Sequence, residues 1–293
     1  MQYDSVMYKL KNGGAYVQLI AINLAVFSII NLTALMFFLF NKSGPSAYDF
    51  VNHVAVPGTF TNLLLQPWSL FTYMFVHVEI WHLLGNMLML YFAGQIFQDT
   101  LGTFRLWANY LIGGVFGALL MLIFYAIFPV FEAVKDVSFT QGASASVLAI
   151  LVIATVYYPT MIVRVILFDL QLRYLTIILL AIDVISISKG NAGGHIAHLG
   201  GALWGMIYGA NLKKGKDLTE WLASISKVYE RKQVSKTLKV VHSPRIQAEQ
   251  EKTNTTTDKQ KRMDELLDKI SKTGYESLTL NERDTLYKLS QDK

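Results

Sequence analysis

Long apolar runs separated by short polar breaks fill the first 211 residues, and a polar, charged stretch follows. A bilayer core about 30 Å thick is crossed by roughly 20 apolar residues in a helix. The runs at about Tyr16–Phe40, Trp81–Phe97, Leu106–Phe128, Ser144–Tyr158, Leu172–Ile187 and His195–Asn211 therefore predict six transmembrane helices. The first run is too long for a signal-peptide core and lacks a small-residue cleavage site, so it reads as a retained span. Several of the others are short or carry polar residues and need the shelter of a bundle. The predicted fold class is all-α: a polytopic membrane helix bundle with a short helical cytoplasmic tail. The long loop from Asn41 to Ile80 carries Phe50, Val51, Leu63–Leu65, Trp68 and Phe71, which predicts a segment dipping into the membrane interface.

The tail changes character twice. In Asp217–Val240, Leu218, Trp221, Leu222, Ile225, Val228 and Tyr229 form one helical stripe, with Asp217 and Glu220 at capping-box spacing. Nine basic and three acidic residues lie between Lys213 and Arg245. This helix is expected either on an anionic leaflet or packed on its own protein. Ser243–Lys259 reads as a flexible linker. Met263–Ile270 and Glu282–Leu289 read as two short helices around Gly274, with Thr279 and Glu282 as a capping box, and suggest a regulatory or docking hairpin. The expected domains are 1–211, the transmembrane core; 212–262, the basic helix and linker; and 263–293, the hairpin.

Composition sharpens this picture. Of 293 residues, 53% are hydrophobic and 16% charged, and there is no cysteine. The mean hydropathy is +0.35. A cysteine nucleophile and a thiolate metal site are excluded. Residues 1–211 hold eight Lys/Arg and eight Asp/Glu, so the whole net charge of +5 lies in the tail and argues for no nucleic-acid partner. With the N-terminus inside, eight basic residues (Lys9, Lys11, Arg105, Arg164, Arg173, Lys213, Lys214, Lys216) face inward against three outward (Lys42, Lys135, Lys189). The positive-inside rule then gives both termini inside.

In that orientation the second, fourth and sixth spans all begin at the outer face, and each begins with polar residues. The second carries His77, His82 and Asn86, the last two on one helix face. The fourth begins Gly142-Ala143-Ser144-Ala145-Ser146, where the serines alone most simply bond back to helical carbonyls. The sixth reads Gly194-His195-Ile196-Ala197-His198-Leu199-Gly200-Gly201, and Gly201 with Gly205 makes a GxxxG pair for close helix approach. A single membrane histidine is most simply a structural hydrogen-bonder. Together, however, these clusters place a nucleophile, a base and hydrogen-bond donors at one depth.

The chain here resembles the rhomboid intramembrane serine proteases over about Gln66–Asn211. The resemblance rests on His82-x-x-x-Asn86, Gly142-x-Ser144 and Ala197-His198-x-Gly200-Gly201-x-x-x-Gly205 in that order. The tail also looks like the C-terminal extension of some bacterial members. Ala145 stands where the family usually has Gly, Ser69 follows Trp68 where many members have Arg, and Leu148 replaces an aromatic residue. None of these removes a catalytic atom, and the non-catalytic relatives typically lack the Ser or His kept here. The resemblance implies Ser144 as nucleophile and His198 as base. It implies His82 and Asn86 as oxyanion donors, and His77, Gly142, His195, Gly201 and Gly205 as supporting residues. Ser146 is the rival nucleophile and His195 the rival base. No acidic third member is evident, so a Ser-His dyad is implied; Asp183 in the fifth run is left unexplained, either facing the cavity or near the outer end of its helix. The implied substrates are membrane-spanning protein segments, with membrane lipid as surroundings, no cofactor and no metal. The implied location is a bacterial cytoplasmic membrane, with the active site toward its outer face.

Three other readings compete. A metal site could use His77, His82, His195 and His198, but His77 and His82 are five apart and share no helix face. A transporter would show repeated halves and broken helices at mid-membrane. A binding-only relative would grip membrane spans without cutting them.

Overall fold

The computed structural model describes residues 14–40, 47–165, 168–222 and 260–291. Each predicted apolar run becomes a helix: α1 (Gly14–Leu39), α5 (Ile80–Leu101), α6 (Thr103–Ile127), α7 (Ser144–Tyr157), α8 (Leu172–Ser186) and α9 (Ala192–Lys213). Three of them, α1, α5 and α6, are long and apolar enough to cross a membrane. At 14 and 15 residues, α7 and α8 are shorter, and glycine and histidine dilute the apolarity of α9. The loop between α1 and α5 folds into α2 (Ala47–Val54), α3 (Phe60–Leu65) and α4 (Ser69–Thr72). It turns Phe50, Leu64, Leu65, Trp68 and Phe71 outward, as an interfacial segment requires.

The bundle is built around α7, which is buried continuously from Ala145 to Ala154. Helices α5, α6, α8 and α9 all pack on it. Close approach on α6 and α9 depends on glycine. A Cβ at Gly113 would strike Ala149, one at Gly117 would meet Ala145 and the Ala197 carbonyl, and one at Gly205 would sit 2.7 Å from the Ala149 carbonyl. In a membrane, where apolar surface gains little by leaving lipid, such contact supplies the packing energy. The large apolar side chains go outward instead: Ile29, Leu32, Leu35, Met36 and Phe38 on α1, and Ile177, Ile178, Ile182 and Ile185 on α8, are exposed. On a soluble protein this surface would aggregate, whereas in lipid it is solvated.

The fold is not purely helical. Short antiparallel ladders join β1 (Val56–Pro57) to β2 (Phe139–Thr140) and β3 (Ile162–Val165) to β4 (Phe168–Gln171). The all-α expectation missed them because each lies in the connections between the long apolar runs. In the second, Arg164 faces Asp169 across the ladder and pairs with both carboxylate oxygens, at 2.8 and 3.1 Å.

After α9, Asp217 gathers the chain. Its carboxylate accepts from Arg105 Nε at 2.7 Å, from the Tyr208 hydroxyl at 3.1 Å, and from the Thr219 amide and hydroxyl at 2.8 and 2.6 Å. Partial burial disfavours its charge, but these donors outweigh burial and hold the carboxyl down to about 2. A lowered folded-state pKa gives stability that is complete above the unfolded value near 4 and is lost as pH falls toward 2. We expect the wild type to lose thermal stability between about pH 4 and 2 faster than Asp217→Asn does, read as melting temperature against pH in detergent. Equal slopes would remove Asp217 from this role. The rest of the predicted Asp217–Val240 helix beyond residue 222, and the whole of the 243–259 linker, lie outside the described residues.

Contacts divide the chain into Met1–Lys227 and Val228–Lys293. In the second unit, α10 (residues 260–273) and α11 (Leu280–Gln291) flank Gly274, and Thr279 and Glu282 form the expected capping box. The Glu282 carboxylate also pairs with Lys269 at 2.7 Å.

Candidate active site

The polar clusters sit at the N-terminal ends of α5, α7 and α9 and are built from the loops before them. Gly142 adopts φ +125°, a conformation open to glycine, and donates its amide to the Tyr73 carbonyl at 2.9 Å. The Tyr73 hydroxyl in turn donates to the Gly114 carbonyl at 2.6 Å. The next amide, Ala143, donates to His77 Nε2 at 3.3 Å. Ser144 therefore starts α7 on a fixed ledge, beside first-turn amides that have no intrahelical partner.

The two serines part company. Ser144 is partly exposed, whereas Ser146 is fully buried, 3.7 Å from Met74 Sδ and packed against Gly114. On the other side of the ledge, the His82 ring covers Gly142: a Cβ there would stand 2.7 Å from His82 Cε1. His77 lies edge-on to His82, ring centroids 5.1 Å apart. Asn86 is buried one turn below and donates to the His82 carbonyl at 2.9 Å, which leaves its second amide hydrogen uncommitted.

Helix α9 brings His198 alongside. Asn191 caps it, accepting from the Gly194 amide at 3.3 Å. Gly201, one turn below His198, lies against the Ala145 backbone so tightly that a Cβ there would overlap the Ala145 carbonyl. The start of α7 and the His198 turn of α9 are therefore in direct backbone contact, and His198 lies within electrostatic reach of His82. Among the described residues no hydrogen bond joins Ser144 Oγ to His198. In unliganded sites such bonds are often long and tighten only with substrate.

The expectation that His198 lacks an acidic partner is corrected here. Asp183, on α8, accepts from His198 Nδ1 at 2.7 Å and from His195 Nδ1 at 2.8 Å through one oxygen, Oδ1. The sequence marked Asp183 as a costly intramembrane charge but could not say which helix answered it. Tyr73, which anchors the ledge, was missed; a tyrosine in an apolar run leaves no clear signal. The four histidines weighed as a metal site separate into a His77–His82 pair and a His195–His198–Asp183 group. The ligand atoms of the latter lie within 4.8 Å of one another. The separations from Asp183 Oδ1 are hydrogen-bond lengths, shorter than the roughly 3.3 Å between ligands about 2.0 Å from a tetrahedral zinc.

A family model described as Rhomboid domain matches residues 64–215, and one for a family of unknown function, DUF6576, matches residues 249–292. The chain is similar to RHOMBOID-like protein 12, mitochondrial, of Arabidopsis thaliana, 32% identical over 158 residues, which covers 50% of this chain and 47% of the relative. It thus spans about half the length of that relative. The apolar helices mark a membrane protein. The mitochondrial name of the relative lends no support to the bacterial membrane expected from the sequence.

Proposed function

The chain belongs to the rhomboid family, and from this we propose that it is an intramembrane serine endopeptidase that cleaves membrane-spanning protein segments. The observation that carries the reading is the partly exposed Ser144 at the first turn of α7, next to Ala145, whose backbone lies against Gly201, one turn below His198 on α9.

In the proposed reaction, Ser144 Oγ attacks the peptide carbonyl carbon while His198 Nε2 takes the hydroxyl proton. The tetrahedral oxyanion is met by Asn86, His82 and the first-turn amides of α7, whose helix dipole favours negative charge. The C–N bond breaks, and His198 gives its proton to the leaving amine. Water, activated in the same way, then hydrolyses the acyl-enzyme and returns the proton to Ser144. A substrate helix hides its peptide bonds, so segments with helix-breaking residues near the site are the expected substrates. All six long helices are proposed to cross the membrane, with both termini on the inner side. Residues 260–291 are proposed as a regulatory or docking hairpin.

Because one oxyanion donor typically contributes about 10²–10³ in kcat, Asn86→Ala is expected to lower kcat by that factor with a smaller change in KM. Kinetics on a fluorogenic single-span substrate check it, and an unchanged kcat would remove Asn86 from the oxyanion site. The function itself is tested by reconstituting the protein in liposomes with a model single-span substrate. We expect two fragments cut within the span. Co-purification of uncut substrate, with no fragments across several sequences, would instead support a binding-only protein.

A further inference from the structure

We propose that Asp183 is a positioning residue that fixes the orientation and proton placement of His198, making the site a Ser144–His198–Asp183 triad rather than a dyad. The inference rests on the proposed roles of Ser144 and His198.

An ionised carboxylate only accepts hydrogen bonds, so both imidazoles must present N–H from Nδ1 to Asp183 Oδ1. With its proton at Nδ1, neutral His198 keeps the lone pair on Nε2, the nitrogen a serine hydroxyl needs. Asp183 is 7% exposed, and an isolated charge at such a site in a membrane segment is expensive. Two short N–H donors satisfy it.

The helix that carries it is itself held in register. The buried residues of α8 are Leu172, Thr176 and Asp183, one stripe along the helix. Thr176 shares a hydrogen bond of 2.6 Å with Thr155 on α7, two turns before Asp183. The carboxylate is thus set by a second contact independent of the histidines. Asp183 and His195 face His198 from α8 and from its own helix, α5 offers His82 within electrostatic reach, and α7 meets the next turn of α9 through the uncharged Ala145. On α6 the neighbours of α9 at this level are Phe116 and Gly117, which carry no charge. Asp183 is therefore the one carboxylate among the described residues that touches His198.

When His198 takes the Ser144 proton on Nε2 it becomes an imidazolium. The adjacent carboxylate stabilises that cation and remains ionised; the proton goes on to the leaving amine. Asp183→Asn replaces an acceptor by a group that can donate, which favours the wrong tautomer. An equivalent change in a soluble serine protease costs about 10⁴ in kcat.

The test compares Asp183→Asn, Asp183→Glu and Thr176→Val with wild type in liposomes, reading kcat and KM from pH 5 to 9. For Asp183→Asn we expect kcat to fall by at least about 10²-fold with KM little changed, and the acidic limb of kcat/KM to move to lower pH. Asp183→Glu is expected to recover part of the loss. Thr176→Val, which loosens α8 without touching His198, is expected to leave the limb in place. Retained kcat and an unmoved limb in Asp183→Asn would overturn the inference. So would a loss in Thr176→Val equal to that in Asp183→Asn with neither limb moved, because Asp183 would then only dock α8. Ser144→Ala and His198→Ala run in parallel: cleavage that survives both shows that the underlying reading has failed, whereas cleavage that needs both but not Asp183 sinks only this inference.

Discussion

Ser144→Ala is expected to reduce cleavage to background, a loss on the order of 10⁶ in kcat, while Ser146→Ala keeps most of the wild-type turnover. The contrast follows from where α7 puts the two hydroxyls. Ser144 is the first residue of the helix, partly exposed, on a ledge set by the Tyr73 carbonyl and His77. Ser146 is sealed between Met74 and Gly114. Losing its hydroxyl removes one weak contact to sulfur and leaves a small space, so Ser146→Ala is expected to shift stability by about 1 kcal/mol at most. Substrate binding in Ser144→Ala should persist, since the attacking hydroxyl contributes chiefly after binding. Fragment yield and substrate co-purification, measured on the same liposomes, separate the two effects. Full activity in Ser144→Ala would discard this nucleophile.

Gly201→Val is expected to be the most damaging single change to the fold and to abolish cleavage as well. Its Cβ would overlap the Ala145 carbonyl, and that carbonyl belongs to the buried first turn of α7. Backbone cannot give way as a flexible side chain can, so α9 must move outward and carry His198 with it. Overpacking of a close core typically costs about 1–3 kcal/mol, and a clash with backbone belongs at the upper end. Gly85→Ala is the matched control, because nothing lies within 4 Å of the Cβ it would add. Thermal unfolding in detergent, followed by tryptophan fluorescence, should show a clear fall for Gly201→Val and almost none for Gly85→Ala. A wild-type melting temperature in Gly201→Val would mean that α7 and α9 are not held by this contact.

Particular residues show why some of this was legible in the sequence. The apolar runs located the six main helices because helices packed in an apolar bundle need sustained hydrophobicity, but they located the ends poorly. The second run stopped at Phe97, whereas α5 continues to Leu101 through Gln98, Asp99 and Thr100; helix geometry tolerates polar residues there, and hydropathy does not count them. The sixth helix begins earlier than the run, at Ala192, because Asn191 supplies the cap. The 162–171 hairpin was hidden since its apolar residues sit between the two apolar runs of α7 and α8 and continue their pattern. At the site, the helical spacing of His82 with Asn86 and of His198 with Gly201 carried real geometric content. The Asp183 link did not emerge from spacing, because it joins residues on two helices, α8 and α9, that are brought together only by packing on α7, to which the Thr155–Thr176 bond ties α8. The ledge under Ser144 was invisible for the same reason: its supports, Tyr73 and His77, lie about 70 residues upstream.

The most direct test of the central claim is covalent. The wild-type protein in liposomes is treated with a serine-reactive fluorophosphonate, digested, and mapped by mass spectrometry. We expect a single adduct on Ser144, formed in step with loss of cleavage and prevented by His198→Ala. An adduct on Ser146 or another serine, or full cleavage by protein in which Ser144 has been modified, would contradict it.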